Sequence, residues 1–303
     1  MRFVAVLNRD GGTLRTTDLD AFSARIGSTL GDAGHHVALR IVRGDEIVGA
    51  LDKAARQRGV DVVMAGGGDG TISAAAARLM GGKKALAVLP AGTMNLFARS
   101  IGVPLDLDEA VAAFAKAEVK AVDMALANGR PFIHQFSIGM HAKMVQLREK
   151  MDFGSRLGKM RASAKATYYT LKNPPSINAK LRIGEAETKV KTTGIGVTNN
   201  LFGEGHLPYA DNPDGGVLGI YVTAASERNE LLRFFFNMAR GRWHTNPHVD
   251  IYQATTMRIS LPARATRLKC VIDGELAKLE PETTIEIRPR SLRVLAPAIA
   301  DGA

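Results

Sequence analysis

The N-terminal part of the chain alternates between two hydrophobic patterns. Short apolar runs, typical of buried strands, are followed by segments in which apolar residues recur every three or four positions, as on one face of a helix. The predicted strands are Arg2–Leu7, His36–Val42, Val60–Ala65 and Ala85–Leu89, and the predicted helices are Leu19–Leu30, Glu46–Arg56, Ile72–Leu79, Asn95–Ile101 and Leu107–Ala117. Such alternation forms parallel βαβ units, which bind ligands at the carboxyl ends of their strands. Residues 1–123 are therefore predicted to form a nucleotide-binding α/β domain with a parallel sheet and flanking helices.

From Val122 onwards the apolar runs become short, rich in β-branched residues and partly alternating. The predicted strands are Phe132–Ile138, Ala179–Ile183, Lys189–Thr198, Gly219–Thr223, Met257–Leu261, Thr266–Ile272 and Thr284–Arg288. Two helical stretches, Ala142–Leu171 and Glu227–Gly241, interrupt this pattern. Many short strands with few helices are typical of an antiparallel sandwich or barrel. Residues 124–303 are therefore predicted to form a β-rich antiparallel sandwich domain.

The composition is that of a globular protein with a basic surface. Of 303 residues, 46% are hydrophobic, and 40 Lys and Arg against 30 Asp and Glu give a net charge of +10. Such a surface attracts nucleic acid, anionic lipid or phosphorylated ligands. Because only 6% of residues are aromatic and no basic helix carries interleaved aromatics, nucleic acid is not expected as a partner. The single cysteine, Cys270, and the lack of an apolar run of about 18–20 residues predict a cytoplasmic protein.

A glycine-rich loop follows the third predicted strand and precedes an alanine-rich helix. It reads Gly66-Gly67-Gly68-Asp69-Gly70-Thr71. Glycines let backbone N–H groups approach an anion, and Thr71 is predicted to cap a helix whose N-terminus favours negative charge. A carboxylate repels phosphate, so Asp69 indicates a bound metal or proton transfer. The loop is neither a Walker loop nor a Gly-x-Gly-x-x-Gly fingerprint, and a tight turn of small residues is the simpler alternative.

A second loop of this kind follows the next predicted strand. In Pro90-Ala91-Gly92-Thr93-Met94-Asn95, the proline ends the strand, Gly92 turns the chain, and Thr93 or Asn95 opens a helix. Alone, this segment is best interpreted as an ordinary capped helix start. Two adjacent strands, however, would bring both loops into one crevice, and the pair predicts a site for phosphoryl transfer.

The two loops together resemble those of the diacylglycerol kinase catalytic domain family. That family includes bacterial lipid kinases and the sphingosine and ceramide kinases, and it shares the glycine-rich Asp motif with NAD kinases. Three further segments resemble the family: Asn8 with Gly11 its first nucleotide loop, Asp211–Leu218 its magnesium segment, and Val271–Glu275 its catalytic Asp-Gly-Glu. The Asn199–Gly205 stretch is also similar, and the resemblance covers nearly the whole chain.

The resemblance implies an ATP- and Mg²⁺-dependent kinase of phospholipid metabolism, which phosphorylates the hydroxyl of a diacylglycerol-like or other long-chain lipid. The implied nucleotide-binding residues are Asn8, Gly11, Gly66, Gly67, Gly68, Asp69, Gly70, Thr71, Gly92, Thr93 and Asn95. Asp69 would organise magnesium, directly or through water. A second magnesium would lie near Asp214, with Asp211 and Gly216 close by and carbonyl oxygens as further ligands. Glu275 or Asp273 would accept the hydroxyl proton, so that Asp69, Asp273 and Glu275 form the expected catalytic set.

The chain departs from the family pattern at two positions. Arg9 stands where the family has proline, and Leu96 replaces an aspartate near the nucleotide. An NAD kinase and a non-catalytic lipid- or nucleotide-binding protein are therefore retained as alternatives. The loop at residues 90–95 argues against the first, and the intact catalytic set argues against the second. Taken alone, Asp273-Gly274 also fits a hairpin turn, and residues 211–216 also fit a surface turn.

Two segments combine basic with apolar residues and suit an anionic membrane surface. They are Arg148–Lys172, and Leu231–Met238 with the Arg240, Arg242 and Trp243 that follow. The alternative is a helix that packs its apolar face on the β-rich domain. This alternative is favoured for Leu231–Met238, and for Arg148–Lys172 both interpretations stay open. A lipid substrate at a membrane surface, peripheral association with that membrane and a homodimer are the expected interactions.

Overall fold

The chain forms two compact units in the computed structural model, which describes residues 1–151, 156–225, 227–262 and 268–297. Unit one consists of Met1–Met124 and the segment that begins at Pro289, and unit two consists of Ala125–Arg288. The predicted second domain of residues 124–303 is corrected in one respect. The segment from Pro289 packs with unit one, because it supplies a strand to the parallel sheet of that unit.

Unit one is built on a parallel sheet. Its strands are β1 (Arg2–Asn8), β2 (His36–Val42), β3 (Val62–Gly67), β4 (Ala85–Pro90) and the C-terminal part of β16 (Glu282–Ala296). They lie in the order β2-β1-β3-β4-β16, and every pair is parallel. Strands β3 and β4 are buried throughout, which explains why they read as continuous apolar runs. Strand β5 (Glu118–Ala127) also pairs with β16.

The helices of unit one match the predicted ones, with differences at their ends. They are a short 3₁₀ helix at Gly12–Arg15, α1 (Leu19–Asp32), α2 (Ile47–Arg56), α3 (Asp69–Leu79), α4 (Leu96–Ser100) and α5 (Leu107–Phe114). Asp106 caps α5, because its carboxylate accepts the backbone N–H groups of Asp108 and Glu109. The predicted α/β class of the N-terminal part is confirmed.

Unit two is an antiparallel sandwich. Its strands are β6 (Arg130–Phe132), β7 (Gln135–Gly139), β8 (Ile177–Ile183), β9 (Ala186–Thr192), β10 (Gly194–Asn199), β11 (Leu218–Thr223), β12 (Val249–Ala254), β13 (Thr256–Ser260), β14 (Lys269–Ile272) and β15 (Glu275–Lys278). One sheet has the order β12-β11-β10-β7-β14-β15, and β8, β9, β13 and the first part of β16 belong to the other. Apolar side chains of both sheets form one core, so the predicted sandwich is confirmed.

One predicted strand of unit two divides where the chain changes sheets. The run Lys189–Thr198 forms β9, which pairs with β8, and β10, which pairs with β7 and β11. At the junction, the Thr192 hydroxyl accepts the N–H of Gly194 at 3.1 Å and donates to the Thr223 carbonyl at 2.8 Å. The exposed strand β9 and the buried strand β10 follow each other within one continuous run of strand-like sequence, so the pattern does not show this change of partner.

In the described part of unit two, the helices beside the sandwich are α6 (Met140–Glu149), α7 (Arg156–Lys172) and α8 (Arg228–Ala239). The predicted stretch Ala142–Leu171 is thus two helices, and residues 152–155 lie outside the described part. Helix α8 buries Leu231 and Phe234, as its amphipathic pattern predicts. Among the helices described, none combines the length and the apolar character that crossing a bilayer requires.

Candidate active site

The first glycine loop contains two kinds of glycine. Gly66 and Gly67 are buried at the end of β3, and a Cβ atom on Gly66 would lie 2.6 Å from the Leu7 side chain. Packing therefore restricts both positions to glycine, and their contact with phosphate through backbone N–H groups stays a prediction. Gly68 is the N-cap of α3, and the exposed Gly70 lies in the first helical turn. Within this turn the N–H of Thr71 donates to the Gly68 carbonyl at 2.9 Å, and the N–H groups that precede it at the helix start suit an anion.

Thr71 is not the helix cap that the sequence predicts. It lies inside the first turn of α3 and is buried. Its hydroxyl accepts a long hydrogen bond of 3.4 Å from the side-chain amide of Asn8, at the end of β1. The same Asn8 side chain accepts the N–H of Asp10 at 3.1 Å. Asn8 and Thr71 thus tie the first nucleotide loop to the glycine loop.

The second loop is closed by the side chain of Asn95. The Asn95 carbonyl oxygen accepts the N–H of Gly92 at 2.8 Å, and its amide donates to the carbonyls of Pro90 and Gly92, both at 3.1 Å. Its backbone is left-handed, with φ of 52°. Asn95 opens α4 as predicted, but its side chain is engaged in shaping the loop. Thr93 is exposed at the tip of this loop.

Asp69 joins the two glycine loops. One carboxylate oxygen accepts the N–H of Leu96 at 2.9 Å, and the other accepts the N–H of Asn95 at 3.3 Å. A carboxylate at the start of α4 is stabilised there by these two donors. The structure thus gives Asp69 a contact that the sequence does not predict, and each oxygen keeps a lone pair for another ligand.

Close backbone approach brings all three loops of unit one together. The N–H of Thr13 donates to the Ala91 carbonyl at 2.8 Å, and a Cβ atom on Gly12 would lie 1.8 Å from that same oxygen. A Cβ atom on Gly92 would lie 2.9 Å from the Cα atom of Gly68. Gly11 lies close to Asn8 in the first of these loops. The predicted residues at 8–11, 66–71 and 92–95 therefore share one site at the carboxyl ends of β1, β3 and β4.

In unit two, Asp273 and Gly274 form a two-residue hairpin turn between β14 and β15. Their φ angles are 47° and 87°, and Ile272 pairs with Glu275 across the turn, so the hairpin interpretation of these residues is correct. The Asp273 carboxylate accepts the N–H groups of Ile133, His134 and Gln135 at 2.9–3.0 Å. Asp273 thereby orders the turn that leads into β7.

Glu275 has different surroundings from Asp273. Its side chain is 66% exposed and pairs with the Arg130 guanidinium at 3.3 Å. An accessible carboxylate suits proton transfer to or from a ligand, whereas the oxygens of Asp273 already accept three backbone donors. Within the predicted catalytic set, the structure therefore favours Glu275 over Asp273 as a proton acceptor.

The predicted metal ligands do not form one cluster. Asp69 belongs to unit one, and Asp211, Asp214 and Gly216 belong to unit two. Asp211 pairs with Nε2 of His206 at 2.8 Å, and Asp214 is exposed in the turn that follows. Within the described ranges, no three His, Cys, Asp or Glu side chains come together as metal ligands. A cation at residues 211–216 would therefore depend on carbonyl oxygens and water as well as on carboxylates, and this ligand set stays a prediction.

An apolar cavity of about 250 Å³ lies in unit two. Its floor is the outer face of β7, β10 and β11, and its walls come from α6 and α8 through Met140, Met144, Phe234 and Met238. Gly194 and Gly196 of β10 leave the floor without side chains. This cavity was not predicted from the sequence, although the alternate glycines of one strand, Gly194-Ile195-Gly196, are a signal for it.

His141 is a polar residue of this cavity. Its Nδ1 atom lies 2.6 Å from the Ser137 hydroxyl and 3.4 Å from the side-chain amide of Gln135. Enclosure by protein, together with the positive charges of His134 and Arg148, lowers the pKa of His141 to about 4. The imidazole is therefore neutral at physiological pH.

This histidine makes the stability of unit two depend on pH. Its pKa is about 4 in the folded chain against 6.5 ordinarily, so the unfolded chain binds the proton first as the pH falls. The contribution of His141 is complete above pH 6.5 and declines as the pH falls towards 4. Between about pH 7.5 and 5, we expect the wild type to lose about 2 kcal/mol more unfolding free energy than His141→Gln. Urea unfolding followed by Trp243 fluorescence measures this, and equal losses in both proteins would contradict it.

The two units and their loops define a recognisable class, in which a glycine-loop α/β unit is joined to an antiparallel sandwich. A family model described as the diacylglycerol kinase catalytic domain matches residues 2–127. A second model, the YegS C-terminal NAD kinase beta sandwich-like domain, matches residues 135–296. The chain therefore belongs to the family of YegS-type proteins with a diacylglycerol kinase catalytic domain.

Relatives from three bacteria illustrate this family. A Staphylococcus aureus protein named "Putative lipid kinase SAR0780" is 27% identical over 78% of this chain and 77% of its own length. A Citrobacter koseri protein named "Probable lipid kinase YegS-like" is 45% identical over 25% of this chain and 27% of its own. A Synechocystis protein is 27% identical over 83% of this chain, which spans only 59% of that relative.

A solved structure has the same fold. The crystal structure of a diacylglycerol kinase from Bacillus anthracis superposes with a TM-score of 0.70 and covers 97% of this chain and 96% of that chain. The sequence identity is 20%, so this likeness concerns the fold alone.

Proposed function

We propose that the protein is an ATP- and Mg²⁺-dependent lipid kinase, which transfers the γ-phosphoryl group to the hydroxyl of a diacylglycerol-like or other long-chain lipid. Beyond membership of the family, the apolar cavity of unit two is the observation that supports a long-chain lipid as the acceptor. A pocket lined mainly by apolar side chains suits a hydrocarbon chain. An NAD kinase would need polar surroundings for its dinucleotide acceptor.

Unit one supplies the nucleotide half of the reaction. The first turn of α3 and the loops tied to it present backbone N–H groups that would hold phosphate oxygens. Magnesium fits this donor set, because it prefers oxygen ligands and the Asp69 carboxylate keeps lone pairs in reach of such an ion or its water. When bound, magnesium would neutralise charge on the phosphates.

Unit two supplies the acceptor half. The cavity would hold an acyl chain, and Glu275 would accept the proton of the lipid hydroxyl as the phosphoryl group arrives. Arg130 beside Glu275 would hold this carboxylate in place. Asp273 would act indirectly, because it orders the turn at residues 133–135 that leads into the cavity floor.

A radiolabelled-ATP assay against diacylglycerol, ceramide, a sphingoid base, phosphatidylglycerol and NAD tests the proposed reaction. Label in one or more lipids is expected. Label in NAD alone would overturn the proposal in favour of an NAD kinase. Label in none of them, with lipid still bound, would favour a non-catalytic binding protein.

Filling the cavity floor should block long-chain lipids without harming the fold. A Cβ atom on Gly196 would have Tyr221 Cβ, 4.0 Å away, as its neighbour, and Gly196 does not have a positive φ. We expect Gly196→Leu to lower kcat/KM for a long-chain lipid at least about tenfold, with Gly196→Ala in between and the melting temperature unchanged or raised. Unchanged kcat/KM in the leucine variant would show that the chain binds elsewhere.

We further propose that the α7–α8 surface holds the protein at an anionic membrane. This surface comprises the exposed side chains Tyr168, Tyr169, Leu232 and Phe236 with the basic Lys165 and Arg240. The Arg240 guanidinium lies 4.2 Å from the centre of the Phe236 ring. Aromatic and basic side chains together suit the interface of a charged bilayer. The residues of α7 before Arg161 that were predicted to contribute have side chains outside the described part.

Removing two of these apolar side chains should weaken membrane binding. We expect the double variant Leu232→Ser with Phe236→Ser to bind vesicles containing phosphatidylglycerol roughly tenfold more weakly in co-sedimentation. Val48→Ser is a matched control, because Val48 on α2 is 46% exposed and Leu232 is 47% exposed. Equal sedimentation of the double variant and the wild type would exclude this surface as the membrane contact.

A further inference from the structure

Polar side chains meet at one part of the cavity floor. Strand pairing places Ser137 of β7 beside Gly196 of β10, and Gly196 beside Tyr221 of β11. The gap left by the glycine therefore opens next to the Ser137 hydroxyl, which is bound to His141 at 2.6 Å. The site combines space for a ligand with a hydrogen-bonding pair at its edge.

The His141 ring has one nitrogen left for a ligand. Nδ1 is engaged by Ser137, and Nε2 has no hydrogen-bond partner among the described residues. A neutral imidazole has one donor and one acceptor nitrogen. Whichever tautomer is present, Nε2 can therefore bond a hydroxyl, and as a donor it can bond a carbonyl oxygen.

The described side chains around the cavity offer no charge that could pair with an ionic ligand. None of the described residues that line it is Asp, Glu, Lys or Arg. His141 is itself neutral, because burial lowers its pKa to about 4. A cationic amine entering this space would lose its hydration without meeting a carboxylate, and such burial is costly. An ester, an amide or a hydroxyl would lose less and could bond to His141.

We propose that the Ser137–His141 pair is the specificity determinant of the lipid cavity, and that it selects lipids with an uncharged hydrogen-bonding backbone over long-chain amines. The inference rests on the proposed function in taking the cavity as the lipid site. It narrows the acceptor to neutral lipids such as acylglycerols and N-acylated bases, and it excludes free sphingoid bases.

Trp243 provides a binding assay that does not depend on catalysis. It lines the cavity and is the only tryptophan of the chain. Its fluorescence would be titrated with dioctanoylglycerol, with a short-chain ceramide and with a long-chain amine of similar length. The wild type is expected to bind the two neutral lipids at least about tenfold more tightly than the amine.

Variants of the pair identify the recognising group. His141→Leu is expected to lose about tenfold in affinity for the neutral lipids, His141→Gln to retain most of it, and Ser137→Ala to lie in between. His36→Gln, on an exposed histidine of β2, is the control and should bind like the wild type. Recovery in the glutamine variant separates recognition from a general loss of structure.

Three outcomes would overturn the inference. They are equal affinity for the amine and the neutral lipids, unchanged binding in both His141→Leu and Ser137→Ala, and no response of Trp243 to any lipid. Selective binding of neutral lipids by a protein that phosphorylates none of them would leave the inference standing and reject the kinase proposal. Failure of the inference and failure of the kinase proposal therefore give different results.

Discussion

Asp69→Ala is expected to lower phosphoryl transfer by about 100-fold or more, with the sheet of unit one intact. The variant removes the acceptor of two backbone N–H groups, at Asn95 and Leu96, and so releases one glycine loop from the other. Displacement of a phosphate-binding loop by about 1 Å is enough for a loss of this size. It also removes the carboxylate proposed to face magnesium.

Asp106→Ala is a matched control for this change. Asp106 likewise accepts two backbone N–H groups at a helix start, so its loss should cost about 1 kcal/mol of stability and leave turnover unchanged. Steady-state kinetics at several Mg²⁺ concentrations would separate the two roles of Asp69. A purely structural role raises KM for ATP and leaves the Mg²⁺ dependence as it was. Normal turnover in Asp69→Ala would refute both roles.

Glu275→Gln is expected to lower kcat by about 10²–10⁴-fold, because a general base typically contributes that much. The amide keeps the size of the side chain and can still accept from Arg130, but it cannot take up a proton. KM for ATP should change little, since the proposed nucleotide site lies in unit one. Glu187→Gln is the control, as this exposed glutamate of unit two pairs with Lys180 at 2.8 Å.

The neighbouring carboxylate should respond differently. In Asp273→Asn, an amide replaces an oxygen that accepts a backbone N–H, so we expect a loss of about 1–3 kcal/mol in stability together with lower turnover. Unfolding curves and kinetics on both variants distinguish the two carboxylates. If Glu275→Gln lost affinity for ATP while turnover held, the base assignment would be wrong.

Local patterns were sufficient to predict much of this fold. The alternation of apolar runs and helical segments predicts the parallel sheet, because β1, β3 and β4 are buried along most of their length and helices follow them. The Asp273-Gly274 pair predicts a hairpin, because few residues other than glycine and Asn or Asp adopt positive φ. The two glycine loops were expected in one site, because carboxyl ends of parallel strands share an edge, whereas the loop at residues 8–11 was added by the family resemblance.

Contacts across loops were not predictable from the same patterns. The hydrogen bond from the Leu96 N–H to the Asp69 carboxylate joins residues 27 positions apart, and it depends on where the second loop turns. Threonine is a common helix cap, but Gly68 occupies the cap position. Thr71 instead lies inside the helix and accepts a hydrogen bond from Asn8. The cavity exists because Gly194 and Gly196 have no side chains. A hydrophobic pattern is defined by side chains that are present, so it does not reveal this space.

Strand β16 has a consequence for how the chain can be divided. It pairs with β13 through residues 282–286 in unit two and with β4 through residues 293–294 in unit one. A chain cut after residue 124 would keep the glycine loops but lose this partner of β4, whose backbone would become an open sheet edge. The unit with the glycine loops is therefore not isolated by a single truncation, and an autonomous version would need Met1–Met124 together with the segment that begins at Pro289.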